Sequence, residues 1–103
     1  MFAVIYQFEV KKDNSEAFIK LWHDLTQLIK VHEHGLGSRL HKKEDDVYIA
    51  YAQWPDEATF KNSGQNLPES ANKIRQQMRD VCISTKRLHE LKLVEDLLEN
   101  ITV

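Results

Sequence analysis

Phe18, Leu21, Trp22, Leu25, Leu28, Ile29 and His32 recur at intervals of 3, 1, 3, 3, 1 and 3. That spacing gathers them on one stripe of an α-helix. A helix with a single apolar stripe has to lay it on another element, and its neighbours in the chain are β-rich. Residues 2–10, FAVIYQFEV, favour a strand. The chain has 103 residues, enough for one core and not two, so residues 1–103 are read as a single two-layer α+β domain.

The other elements follow from punctuation. Asp13 and Glu16 have the spacing of a capping box and open the first helix, and Gly35 is placed as the residue that ends it. Residues 37–43 and 47–54 read as a hairpin, with VYIAYAQW as its second strand. With Asp45 and Asp46 as a two-residue turn, Glu44 pairs with Val47, His41 with Ala50 and Arg39 with Ala52. A loop one residue longer or shorter changes these partners. Pro55 and Asp56 start a short helix through Phe60. Pro68 opens another, with Ala71, Ile74, Met78, Val81 and Cys82 turned inward. Thr85–Val94 reads as a last strand leading into a polar tail.

The order β-α-β-β-α-β is that of a ferredoxin-like split fold with a four-stranded antiparallel sheet. Its two helices cover one face of the sheet. The first strand is apolar on its Phe2, Val4, Tyr6 and Phe8 face, and the third strand offers Ile49 and Tyr51. Both would form a bare apolar surface unless covered. This predicts a homodimer with two sheets face to face, and Tyr6 and Tyr51 inside it.

Composition removes several classes of function. A net charge of −2 does not favour nucleic acid as a partner. No apolar run approaches the ~20 residues of a membrane span, and the N-terminus lacks the basic leader of a signal peptide. The one cysteine, Cys82, rules out an intrachain disulfide, fits a reducing cytoplasmic compartment, and reads as a small buried hydrophobe. No nucleophile elbow, P-loop or glycine-rich dinucleotide motif is present. The stretch VHEHGLGSRLH holds three of the five histidines, a metal-like composition. However, His32 and His34 stand two apart on a helix and diverge by about 200°, so no metal is expected there.

Three segments carry a family resemblance: MFAVIYQFEVKKDNSEAFIKLWHDLTQLI, GLGSRLHK and YIAYAQWPDEATF. Together they resemble the antibiotic biosynthesis monooxygenase (ABM) domain superfamily over roughly residues 2–95, most closely at AQWPDEATF. The resemblance implies a dimeric α/β barrel with a pocket between sheet and helices in each subunit. It also implies oxygenases that need no cofactor and act on phenolic polycycles or quinols, or enzymes that degrade haem. The haem branch resembles a triad of Asn on the first strand, Trp on the short helix and His on the next. Here Gln7 stands first, the short helix around Asn62 and Ser63 has no Trp, and Pro68–Val81 has no His. Haem degradation is therefore not expected.

The hairpin register puts Arg39 and His41 on one face with Ala50, Ala52 and Trp54. The resemblance makes this the face under the helices, together with Ala3, Ile5 and Gln7. Small residues there leave room, and Trp22 forms part of a lid. An apolar space with a few polar groups suits a small hydrophobic or aromatic ligand. A cofactor-independent oxygenase needs a substrate that itself gives an electron to O₂, as an ionised phenol or quinol does. His41 is assigned as the base, Arg39 as the oxyanion partner and Gln7 as an orienting group. Trp22 and Trp54 stack on the rings. The competing reading is a non-catalytic dimeric barrel that binds a hydrophobic metabolite.

Overall fold

The computed structural model describes residues 1–99; residues 100–103, the end of the expected polar tail, lie outside them. The chain runs β1 (Phe2–Val10), α1 (Ser15–Glu33), β2 (Gly37–Glu44), β3 (Val47–Trp54), α2 (Glu57–Lys61), α3 (Ser70–Val81) and β4 (Cys82–Lys92). The strands form one antiparallel sheet in the order β2-β3-β1-β4, as expected for the ferredoxin-like split. The last strand begins at Cys82 rather than Thr85 and ends at Lys92 rather than Val94. Among the described residues, no helix is long and apolar enough to cross a membrane.

Two aromatic clusters fasten α1 and the α2 segment to the sheet. At one end Phe18 of α1, fully buried, packs on Phe8 and Tyr48 at ring separations of 5.0 and 5.4 Å. Val10, Met78 and Cys82 complete this cluster. At the other end Trp54 and Phe60 meet edge to face at 5.5 Å, over Phe2 and Val4.

These contacts reverse one expectation. Phe2, Val4, Tyr6 and Phe8 lie under the helices, whereas Ala3, Ile5 and Gln7 take the opposite face. Large apolar side chains fill the gap between helix and sheet, which Ala3 and Gln7 would leave underpacked. Tyr6 therefore lies on the covered face, and Tyr51 on the open one.

The ends of α1 also differ from expectation. Its N-cap is Asn14, and no side chain caps it. Asp13 instead takes a left-handed turn (φ 68°), and Ser15 Oγ donates to Asp46 Oδ1, tying the helix start to the β2–β3 turn. At the far end His34, not Gly35, adopts the left-handed conformation (φ 62°). Histidine is among the side chains that tolerate it. Gly35 serves close approach: a Cβ there would stand 3.0 Å from Ile29 Cγ2 and 3.6 Å from the Trp54 ring.

The hairpin contains the decisive departure. Asp45 and Asp46 do make the turn, and Glu44 pairs with Val47. But Lys42 pairs with Tyr48, so Lys43 is an extra residue bulged out of the ladder. Beyond it every partner shifts by one: Leu40 faces Ala50 and Ser38 faces Ala52, while His41 faces Ile49 and Arg39 faces Tyr51. β-Strand side chains alternate, so this single residue moves His41 and Arg39 to the open face.

Glu33 is the one charged residue buried among the described residues, at 3% exposure. Its carboxylate accepts hydrogen bonds from the backbone N–H groups of Gly64 and Asn66, the latter at 2.7 Å. The NSGQN loop thus folds around an anion, with Gly64 at φ 100° giving the curvature. Glu33→Ala removes two charge-assisted bonds and should cost about 2–3 kcal/mol, lowering the melting temperature by about 10 °C. Urea unfolding is the check, and a loss under about 0.5 kcal/mol would show that the loop does not depend on this carboxylate.

Candidate active site

On the covered face β3 presents Tyr48, Ala50, Ala52 and Trp54 in turn. The aromatic residues belong to the two clusters, and the alanines between them leave space that the helices roof over. The result is a cavity of about 430 Å³ between α1, α3 and the sheet. Its floor is Tyr6, Phe8, Ser38, Ala50 and Ala52, and Trp54 closes one end. From α1 come Trp22, Leu25, Thr26, Ile29 and Lys30, and from α3 come Arg75, Met78 and Arg79. Size and lining suit a small aromatic molecule.

Four of the anticipated residues meet here: Trp22, Trp54, Ala50 and Ala52 all line the cavity. Trp54 is both wall and core, 5% exposed and clamped by Gly35 and Phe60. The other three do not join them. His41 is exposed opposite Ile49, and Gln7 is half-buried on the same open face. Arg39 is exposed and borders an adjoining hollow of about 350 Å³, which shares Trp22, Lys30 and Ser38 with the cavity and is lined also by His23, Leu36 and Tyr51. The expectation that the hairpin turns Arg39 and His41 into the cavity is corrected by the Lys43 bulge.

The polar groups that do line the cavity are of another kind. Among its lining residues, Lys30, Arg75 and Arg79 are cationic, and none is His, Cys, Asp or Glu. Burial pushes the Tyr6 phenol above its ordinary pKa, and the guanidinium groups of Arg87 and Arg75 oppose that rise. Tyr6 therefore stays protonated near neutral pH, with an O–H available to donate. Arg87 itself lies over the Phe60 ring at 5.1 Å and pairs with Glu90 at 3.7 Å. Two further wall groups, Ser38 Oγ and Trp54 Nε1, are buried without a hydrogen-bond partner among the described residues. Chemically, the lining combines flat aromatic walls with three cationic side chains and no imidazole, thiol or carboxylate.

Arg75 and Arg79 had a signal in the sequence. They flank Ile74 and Met78, which already marked the inward stripe of α3. Lys30 stands next to Ile29 in the same way. Nothing in the sequence marks Ser38 as a cavity residue, because its orientation depends on the bulge. Among the described residues no three His, Cys, Asp or Glu side chains come together as a metal site.

Residues 1–70 match the family model described as antibiotic biosynthesis monooxygenase. A comparison with curated protein sequences returns no match. Among solved structures, the fold resembles SnoaB, a cofactor-independent oxygenase from Streptomyces nogalater. The TM-score is 0.76 at 14% identity, over 95% of this chain and 97% of that one. A putative antibiotic biosynthesis monooxygenase from Caulobacter crescentus gives 0.74 at 20% identity, over 91% and 90%. Rv0793 from Mycobacterium tuberculosis gives 0.72 at 12% identity, over 94% and 98%. Identities this low speak for the fold alone.

Filling the space between the alanines tests whether the cavity is the binding site. Ala52→Leu should weaken binding of 2-naphthol, read by quenching of tryptophan fluorescence, at least tenfold, or about 1.4 kcal/mol. Stability should change by no more than about 1–2 kcal/mol, since the added side chain enters open space. Unchanged affinity in a folded variant would place the ligand elsewhere.

Proposed function

The chain belongs to the antibiotic biosynthesis monooxygenase family, and from that premise we propose that it is a cofactor-independent monooxygenase acting on a small phenol or quinol. The observation that carries the proposal is the cavity itself: an aromatic-walled slot with cationic groups and no side-chain base. In such a site the substrate supplies the electrons and the protein supplies the field.

The reaction balances without an added reductant. A phenol with a free para C–H plus O₂ gives a para-quinone plus water. The cations favour the phenolate, whose proton leaves to solvent. The phenolate passes one electron to O₂, and the two radicals join in a new C–O bond at the para carbon. Loss of water from the resulting hydroperoxide breaks the O–O bond and leaves the carbonyl. Four electrons have then passed from substrate to O₂. Tyr6 donates a hydrogen bond to the anion, Lys30, Arg75 and Arg79 stabilise it, and Trp22 and Trp54 hold the ring. His41 and Arg39 take no part in this scheme.

A second reading, a binder without turnover, draws on the same lack of a base. Oxygen uptake with a panel of 1-naphthols and phenols that have a free para C–H separates the two, since a binder quenches fluorescence but consumes no O₂ above the uncatalysed rate. With a turned-over substrate, kcat/KM should rise with pH through the substrate's own phenol pKa. Substrates of lower pKa should move that limb down by the same amount, and His41→Ala should keep full turnover. A limb fixed near pH 6–7 for all substrates would mean a histidine base instead.

We also propose a homodimer, with the whole chain as one domain. The open face carries Ile5, Ile49 and Tyr51 half-buried, and Leu91 46% exposed. The tail beyond β4 adds Val94, Leu97 and Leu98 at 96%, 83% and 72% exposure. Apolar surface of this kind is normally covered. Light scattering at micromolar concentration should give twice the chain mass, and Ile49→Lys should shift it toward the monomer. A monomeric wild type would refute this assembly.

A further inference from the structure

Resting on the reading of the cavity as an aromatic-binding site, we infer that its ligand carries a fixed carboxylate in addition to the hydroxyl that reacts. The chain as a whole has more acidic than basic side chains, 16 to 14. Yet the cavity is lined by three cations and no carboxylate. The cations come from two helices, Lys30 from α1 and Arg75 and Arg79 from α3. None of the three is in an ion pair among the described residues. Arg79 bonds only a neutral partner, Gln76 Oε1, at 2.9 Å.

A structural explanation covers part of this. Lys30 and Arg79 stand in the last turns of their helices, where a cation suits the negative end of the dipole. Arg75 lies inside α3 and has no such reason, and the dipole does not account for the lack of carboxylates across the cavity. A single phenolate asks for one cation. Two arginines one turn apart, Arg75 half-buried and Arg79 exposed, provide the forked donors that bind a carboxylate. The substrate class is thus a hydroxyaryl carboxylic acid, with its ring over Ala50 and Ala52 and its carboxylate at Arg75 and Arg79.

The test uses 1-hydroxy-2-naphthoic acid and its methyl ester, with binding read by tryptophan quenching at low and high NaCl. The acid should bind at least tenfold more tightly than the ester. High salt should erase that advantage while ester affinity holds. Arg75→Gln should bring the acid down to the level of the ester, and Arg75→Lys should recover part of the difference. Equal affinity of the wild-type protein for acid and ester overturns the carboxylate and leaves the cavity reading standing. Failure of both probes to bind overturns the two together. The salt titration is made on the wild-type protein, so the inference stays open to refutation even where a variant does not fold.

Discussion

One unpaired residue, Lys43, decides which half of β2 lies under the helices. A strand has only two faces, so a shift of one residue exchanges them completely. With the bulge in place, Leu40 and Ser38 join the covered layer and Arg39 and His41 leave it. Leu40 then packs against the Phe8–Phe18–Tyr48 cluster. Without the bulge, an arginine and a histidine would lie beneath α1 where apolar partners are needed, at the cost of burying poorly paired polar groups. The bulge therefore reconciles a turn fixed by Asp45 and Asp46 with a core that requires Leu40 inward.

The cavity follows from what the covered layer contains. Along β3 the sequence aromatic, small, small, aromatic sets two supports with a gap between them. At about 3.4 Å per residue, Tyr48 and Trp54 stand about 20 Å apart, enough for a fused ring system to lie between them. The supports are rigid because each aromatic ring is held by others: Tyr48 by Phe18, and Trp54 by Phe60. Gly35 brings the end of α1 down onto Trp54, where any Cβ would press Ile29 away. The site is thus a gap left between two packed aromatic clusters where β3 carries only alanines.

Element order was legible in the sequence because the signals are local. The α1 stripe, the Asp56 cap that accepts from Thr59, and the two-residue turn each depend on neighbours in the chain. Four cavity residues were legible as well, since Trp22 belongs to a stripe and Ala50, Ala52 and Trp54 share a strand parity. The facing of β1 was misread because both of its faces carry apolar residues, and only packing volume tells them apart. The roles given to Arg39 and His41 depended on register, and register across a bulge is a long-range quantity. No local pattern in HKKEDD says that Lys43 leaves the ladder. Conversely, Arg75 and Arg79 lay in plain sight beside Ile74 and Met78, but charged residues on a helix are read as solvated until a cavity opens next to them.

The sheet consequently separates two kinds of chemistry by the thickness of one backbone layer. Its covered face meets a space with aromatic walls and three cationic side chains. Its open face carries Ile5, Ile49 and Tyr51 with Arg39, His41, Lys86 and His89 around them. No histidine lines the cavity, and His41 and His89 lie on the open face. The cavity lining has no imidazole, thiol or carboxylate, so in the proposed reaction the substrate's proton leaves to solvent. In that proposal Lys30, Arg75 and Arg79 stabilise the anion by their charge. Specificity in that proposal rests on shape, set by the hairpin floor together with the helices, and on the position of charge, set by α1 and α3.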